Sequence, residues 1–142
     1  MKVRDVMTDQ VIRIHPDESV AVAARTLTHY NIGALPVCKS DGQLCGVVTD
    51  RDIVTRCLAS ERKPESTKVR EVMTGWVVSA TPDMDAGRAA DLMGRQQVRR
   101  LPVVENGRLC GIVSLGDLAI REQSNPAAAN ALEGISTNVS KR

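Results

Sequence analysis

Apolar positions along the chain fall into two rhythms, one helical and one extended, and the pair of rhythms occurs twice. Val20, Ala23, Ala24 and Leu27 recur at helical spacing, as do Ala86, Ala89, Ala90 and Met93, so each set predicts a helix with one buried face. Each helix follows a Pro-Asp pair, with Asp17 or Asp83 placed to cap free backbone N–H groups. An extended apolar stretch precedes the pair, residues 11–14 in one case and 76–80 in the other, and a short amphipathic turn opens each half at residues 3–7 and 69–73. After each helix come two runs rich in Val and Leu, separated by turn residues, which read as a β-hairpin. A second helix is expected just past Thr49 and Ser114. The predicted order is strand, helix, strand, strand, helix, twice over, an α+β chain with a polar linker at 59–68.

The two halves are copies of one unit. KVRDVMT at Lys2 returns as KVREVMT at Lys68, Pro16-Asp17 as Pro82-Asp83, and Leu35-Pro36-Val37 as Leu101-Pro102-Val103. Leu44-Cys45-Gly46 then returns as Leu109-Cys110-Gly111 and Asp52 as Asp117, after the loss of one residue. Aligning 2–40 with 68–106 and 42–54 with 107–119 covers 52 positions and gives 20 identities, too many for unrelated segments. The repeats run over 1–58 and 69–122, and a tail from 123 to 142 carries only a loose helical pattern at AAANALEG. Units this small are marginal alone, so a shared core is expected. Pairing of the two sheets would give pseudo-two-fold symmetry, with clefts between the copies as natural places for a ligand.

Composition narrows the function. The chain has 142 residues, 42% apolar and 25% charged, enough for a packed fold. No apolar run approaches the roughly 20 residues that span a bilayer, and the opening MKVRDVMTDQ lacks a secretory apolar core, so a soluble cytoplasmic protein is expected. With 19 basic against 17 acidic residues, and Trp76 and Tyr30 as the only aromatics, the sequence argues against nucleic-acid binding.

The strongest local feature is Thr-Asp-Arg-Asp at 49–52, matched by Ser-Leu-Gly-Asp at 114–117, each directly after a Gly-Val-Val or Gly-Ile-Val run. Its plainest meaning is a capping box, in which the hydroxyl accepts from the third helical N–H and the carboxylate reaches back. The same residue types also suit a ligand, because a hydroxyl beside free N–H groups meets phosphate and a carboxylate one turn in accepts both hydroxyls of a ribose. The two roles are compatible.

These segments, with Ile-Gly-Ala-Leu-Pro-Val and the Val-Met-Thr openings all duplicated in order, resemble a tandem CBS-domain module over residues 2 to about 120. The pattern is similar to small CBS pairs such as the hypoxic response protein family. The resemblance implies two βαββα units packed through their sheets, and a non-enzymatic sensor that binds AMP, ADP, ATP or another adenosyl ligand such as S-adenosylmethionine or NAD in clefts between the repeats. It implies Asp52 and Asp117 as ribose carboxylates, Thr49 and Ser114 as phosphate hydroxyls, and Val11, Ile12, Val77 and Val78 as the adenine wall. Arg99 and Arg100 match a position for basic groups facing phosphates; the first repeat has Gly33-Ala34 there, so the two clefts cannot be equally basic. The resemblance also implies a homodimer, with apolar helix faces as its interface, and output to a downstream protein.

Other readings remain open: a ligand-free dimeric interaction module, or a redox- or metal-responsive protein using Cys38, Cys45, Cys57 and Cys110. No Cys-x-x-Cys or paired Cys/His spacing occurs, which favours buried reduced thiols. The Asn106-Gly107 turn places Val103 opposite Cys110, and the equivalent register places Val37 opposite Cys45. That needs a Ser40-Asp41-Gly42 loop with Gly42 in the left-handed region, and it points Cys38 and Cys45 to opposite faces. His15 and His29 have no partner in any catalytic pattern, and Met7 and Met73 read as packing residues.

Overall fold

In a computed structural model, residues 1–75 and 78–121 are described; Trp76, Val77 and residues 122–142, with the tail, lie outside the described residues. The elements are α1 (Val20–Tyr30), β1 (Ala34–Cys38), β2 (Leu44–Thr49), α2 (Asp50–Asp52), α3 (Ala86–Gln96), β3 (Arg100–Glu105), β4 (Arg108–Ser114) and α4 (Leu115–Arg121). Short 3-10 turns at Val3–Asp5 and Val69–Glu71 open the two repeats, and α2 runs on into π-helical turns over Ile53–Leu58. The fold is α+β, with two small antiparallel sheets, β1-β2 and β3-β4. No helix among the described residues is long and apolar enough to cross a membrane.

The packing units are not the sequence repeats. One unit joins Met1–Val11 to Val78–Asn106 and the described residues from Cys110 on; the other joins Ile12–Val77 to Gly107–Leu109. Each therefore takes its opening turn from the other repeat. In the first, Val3 N–H donates to Met84 C=O at 2.9 Å, Arg4 N–H to Pro82 C=O at 3.0 Å and Ala86 N–H to Met1 C=O at 2.8 Å. The second repeats the set, with Val69 N–H on Glu18 C=O at 2.8 Å, Arg70 N–H on Pro16 C=O at 2.9 Å and Val20 N–H on Thr67 C=O at 2.8 Å. The exchange builds each of the two cores from residues of both repeats. Val3 and Val6 are buried with Ala86, Ala89, Ala90 and Met93, and Val69 and Val72 with Val20, Ala23 and Leu27. Burying each valine, leucine or methionine among them contributes about 1.5–3 kcal/mol.

This exchange also reassigns the two aspartates expected to cap the helices. Ser19 and Asp85 are the caps, accepting from Val22 N–H at 3.2 Å and Gly87 N–H at 3.1 Å, so both helices begin later than Pro-Asp. Asp17 instead pairs with Arg70 and, at 4.0 Å, with Lys68; Asp83 pairs with Arg4 and, at 3.6 Å, with Lys2.

Two glycines let the ends of the opening turns lie against the hairpins. Thr74 and Val47 exchange backbone hydrogen bonds at 2.9 and 3.1 Å, and a Cβ on neighbouring Gly46 would stand 2.2 Å from Thr74 O. In the other unit Thr8 and Ile112 exchange the same pair at 2.8 and 2.9 Å, and a Cβ on Gly111 would stand 2.8 Å from Met7 Sδ and 2.9 Å from Thr8 O. Only glycine admits the crossing strand so close.

Among the described residues the first strand of each repeat shrinks to a single bridged residue. Ile14 bridges Val37 in parallel and Ala80 bridges Val103; residues 11–13 make no ladder. In the first hairpin Gly42 is left-handed at φ 90, as its loop requires, but Val37 pairs with Gly46 and Cys38 with Leu44, so Cys45 is a bulge residue and not the partner of Val37. Asn106 and Gly107, at φ 54 and 80, make the tight turn of the second hairpin. The apolar stripes of α1 and α3 are buried in their own cores. Large apolar side chains on the helix after β2 are exposed instead, Val54 at 55% and Leu58 at 52%.

Candidate functional site

In the unit built around α1, the chain leaves β2 at Thr49 and turns directly into a helix. Thr49 Oγ1 accepts from Asp52 N–H at 3.0 Å and Asp52 Oδ2 accepts from Thr49 N–H at 3.1 Å, a closed capping box. Asp52 is 8% exposed, and Arg56 Nε lies 3.8 Å from its other oxygen, Oδ1. Arg56 Nη1 also reaches the carbonyls of Val72 and Met73, at 3.3 and 3.2 Å. One carboxylate oxygen is thus committed to the backbone and the other faces a guanidinium. Asp50 N–H donates to Gly33 C=O at 3.1 Å, and the Asp50 carboxylate lies over Gly33. Ile12 belongs to this unit and is 37% exposed.

The unit built around α3 repeats the turn with different side chains. Ser114 Oγ accepts from Asp117 N–H at 3.0 Å, and among the described residues the reciprocal bond from Ser114 N–H is not formed, so the Asp117 carboxylate is not held by the turn. Leu115 N–H donates to Arg99 C=O at 2.8 Å, which sets the Arg99-Arg100 pair beside Ser114. Both arginines are exposed, and Ser114 and Asp117 are half-buried. Val78 is half-buried against this unit's core, and Val11 is the last residue of the same unit's opening segment.

The expected site residues therefore sort by unit. Thr49, Asp52 and Ile12 fall in one, and Ser114, Asp117, Arg99, Arg100, Val11 and Val78 in the other; Val77 lies outside the described residues. Val11 and Ile12 are chain neighbours yet belong to different units. Sequence reasoning missed Arg56 as the partner of Asp52, although the i, i+4 spacing on a helix was there to find it. It also missed that Asp50 fills the space over Gly33.

All four cysteines are free, with Cys38 and Cys57 buried and Cys45 and Cys110 half-buried. Burial pushes the Cys38 thiol up from its ordinary value against the opposing charge of Arg13. Burial, then Glu105, pushes up that of Cys110. A raised thiol pKa means little thiolate and low reactivity at neutral pH. Among the described residues no three His, Cys, Asp or Glu side chains gather as metal ligands. His15 Nδ1 accepts from Asp17 N–H at 3.1 Å, and His29 stacks edge-on with Tyr30.

The family model described as "CBS domain" matches residues 3–59 and 69–122. CBS domain-containing protein YhcV of Bacillus subtilis (strain 168) is 44% identical over 134 residues, 94% of each chain. Hypoxic response protein 1 of Mycobacterium tuberculosis is 34% identical over 116 residues, 82% of this chain and 81% of its own. A solved Hypoxic Response Protein I with two coordinated zinc ions matches at TM-score 0.77 and 33% identity, covering 85% of this chain and 98% of that one. A CBS domain pair solved in complex with 5′-methylthioadenosine and S-adenosyl-L-methionine matches at TM-score 0.72 and 30% identity, covering 85% and 98%.

Proposed function

The chain belongs to the CBS-domain family, and on that premise we propose that it is a regulatory module with no chemistry of its own, which binds an adenosyl ligand and passes the signal to another protein. In the unit of α3 the Asp117 carboxylate accepts the ribose hydroxyls, the Ser114 hydroxyl and the Arg99 and Arg100 guanidiniums meet phosphate, and Val11 and Val78 flank the adenine. Thr49, Asp52 and Ile12 are the counterparts in the unit of α1, with Val77 of the second repeat as the remaining adenine-wall residue. The observation that carries the reading is the 2.8 Å bond from Leu115 N–H to Arg99 C=O, which sets a basic pair beside a hydroxyl and a carboxylate that its own turn does not hold. The neighbour solved with methylthioadenosine and S-adenosylmethionine supports the adenosyl class; AMP, ADP, ATP and NAD share the adenosine half.

A ligand signals only by favouring one state over another, and the affinity difference sets the size of the response. Self-association and a downstream protein are the relations through which such a state is read, and Val54 and Leu58 are exposed apolar side chains suited to the first. Four free cysteines fit the reducing cytoplasm.

Isothermal titration of protein freed of co-purified nucleotide, against AMP, ATP, NAD and S-adenosylmethionine, tests the reading. Micromolar binding of one of them that weakens at least about tenfold in Asp117→Ala, a change of about 1.4 kcal/mol, is the expected result. Asp117 is the residue to change first, because Asp52 also closes a cap and its loss would confuse binding with folding. Absence of heat from all four ligands with folded protein would leave an interaction module.

A further inference from the structure

The two helix starts carry opposite charges on opposite sides of one shared backbone hydrogen bond. Leu115 N–H bonds Arg99 C=O at 2.8 Å in one unit, and Asp50 N–H bonds Gly33 C=O at 3.1 Å in the other. These are the same hydrogen bond in the two repeats, so Arg99 stands where Gly33 stands and Leu115 where Asp50 stands. The Leu115 side chain is buried in its core, so the position that carries a carboxylate in the other unit carries no charge here, and the exposed arginines stand beside Ser114 and Asp117. In the other unit the carboxylate is exposed and folded back over Gly33, with Oδ2 3.5 Å from where a Gly33 Cβ would be. It thus takes up the space that a side chain at Gly33 would enter.

The surroundings do not neutralise that carboxylate. Its Oδ1 accepts only the Arg51 N–H, at 2.8 Å, and among the described residues no Lys, Arg or His nitrogen lies within 4.0 Å of it. Arg51 points its exposed side chain from the same helix, and Arg56 is engaged by Asp52 and by the carbonyls of Val72 and Met73. A phosphate brought to Thr49 would meet Asp50 beside it and Asp52 one turn on. Like charges at such range repel even in an exposed site, though water weakens the effect.

Resting on the adenosyl reading above, we infer that the two sites sort ligands by charge. The site of Ser114, Asp117, Arg99 and Arg100 takes a phosphorylated adenosyl ligand. Asp50 closes the site of Thr49 and Asp52 to phosphate and leaves it to an uncharged or cationic nucleoside, such as adenosine or a sulfonium nucleoside. Asp50 and Arg99 are then specificity-determining residues, and the protein reads two chemically different signals.

Titration of the full chain with adenosine, S-adenosylmethionine and AMP, in wild type, Arg99→Gly, Asp50→Leu and the near-isosteric Asp50→Asn, tests the inference, with thermal melts to check folding. Two adenosine-class sites are expected in wild type, with AMP at one. Arg99→Gly should weaken AMP at least about tenfold and adenosine less than about threefold, and both Asp50 variants should admit AMP to the second site with a gain of about tenfold. AMP filling both wild-type sites, or an AMP affinity indifferent to Arg99 and Asp50 while adenosine still binds, would overturn the charge sorting and leave the adenosyl reading intact. Failure of every probe to bind would overturn both.

Discussion

Gly46 and Gly111 do the same task in the two units, yet the crossings they admit are not equally tight. At Gly46 the obstacle to a side chain is the Thr74 carbonyl oxygen, 2.2 Å from an added Cβ, and main chain cannot step aside. At Gly111 the nearest atom is Met7 Sδ at 2.8 Å, the end of a flexible side chain, with Thr8 O behind it at 2.9 Å. The helix starts differ in the same direction. Thr49 and Asp52 close a full box that Arg56 ties to the Val72 and Met73 carbonyls, whereas Ser114 and Asp117 form half of one. The unit of α1 is therefore the more constrained at its turn, and the unit of α3 keeps its carboxylate free. The two copies of the turn have thus diverged: one ties its carboxylate into a closed box, the other leaves it untied.

The largest test of the contrast is at the glycines. Gly46→Ala should destabilise by about 3 kcal/mol and Gly111→Ala by about 1–2 kcal/mol, measured by urea unfolding, because overpacking costs most where the backbone itself must move. Equal losses would show that the two crossings yield alike.

The caps should respond less, and unequally. Thr49→Ala is expected to cost about 1–2 kcal/mol and Ser114→Ala about 0.5–1 kcal/mol. Asp52→Ala removes the acceptor of the Thr49 N–H and should cost about 1–3 kcal/mol, whereas Asp117→Ala should stay within about 0.5 kcal/mol. A costly Asp117→Ala with a silent Asp52→Ala would reverse the assignment of which turn is structural.

The smallest effect separates the opening turns by pH. Lys2 N–H donates to Asp5 Oδ2 at 2.9 Å, and Lys68 N–H to Glu71 Oε2 at 2.7 Å. The Lys68 N–H, then the Arg62 guanidinium, hold the Glu71 carboxyl below its ordinary value. A lowered folded value means stabilisation that is present above the unfolded value and lost as pH falls through the folded one. Wild type should melt slightly above Glu71→Gln at about pH 7, and the difference should vanish well below the ordinary carboxylate value of 4.5. A gap that widened in acid would contradict that sign.

Much of this was legible in the chain. The stripe Ala86, Ala89, Ala90, Met93 is buried as its spacing requires, and the hydroxyl-to-carboxylate spacing at 49–52 forms its box because both periodicity and capping are local. The Cys45 bulge was not legible, since nothing local makes Leu44 rather than Cys45 the neighbour of Cys38. Nor was the true role of Asp17 and Asp83. Either reads as a cap from its neighbours, but Arg70 and Arg4, which claim them, come from the other repeat.

The amino-acid sequence alone determined the duplication, the order of helices and hairpins and the caps available at Thr49 and Ser114, because each follows from interactions within a few positions of the chain. Tertiary structure alone decided which opening turn completes which core. KVRDVMT and KVREVMT present nearly the same valines, methionine and basic groups, so either could pack against either helix, and no local preference separates the two arrangements. Only the path of the whole chain puts Val3 on Met84 and Val69 on Glu18.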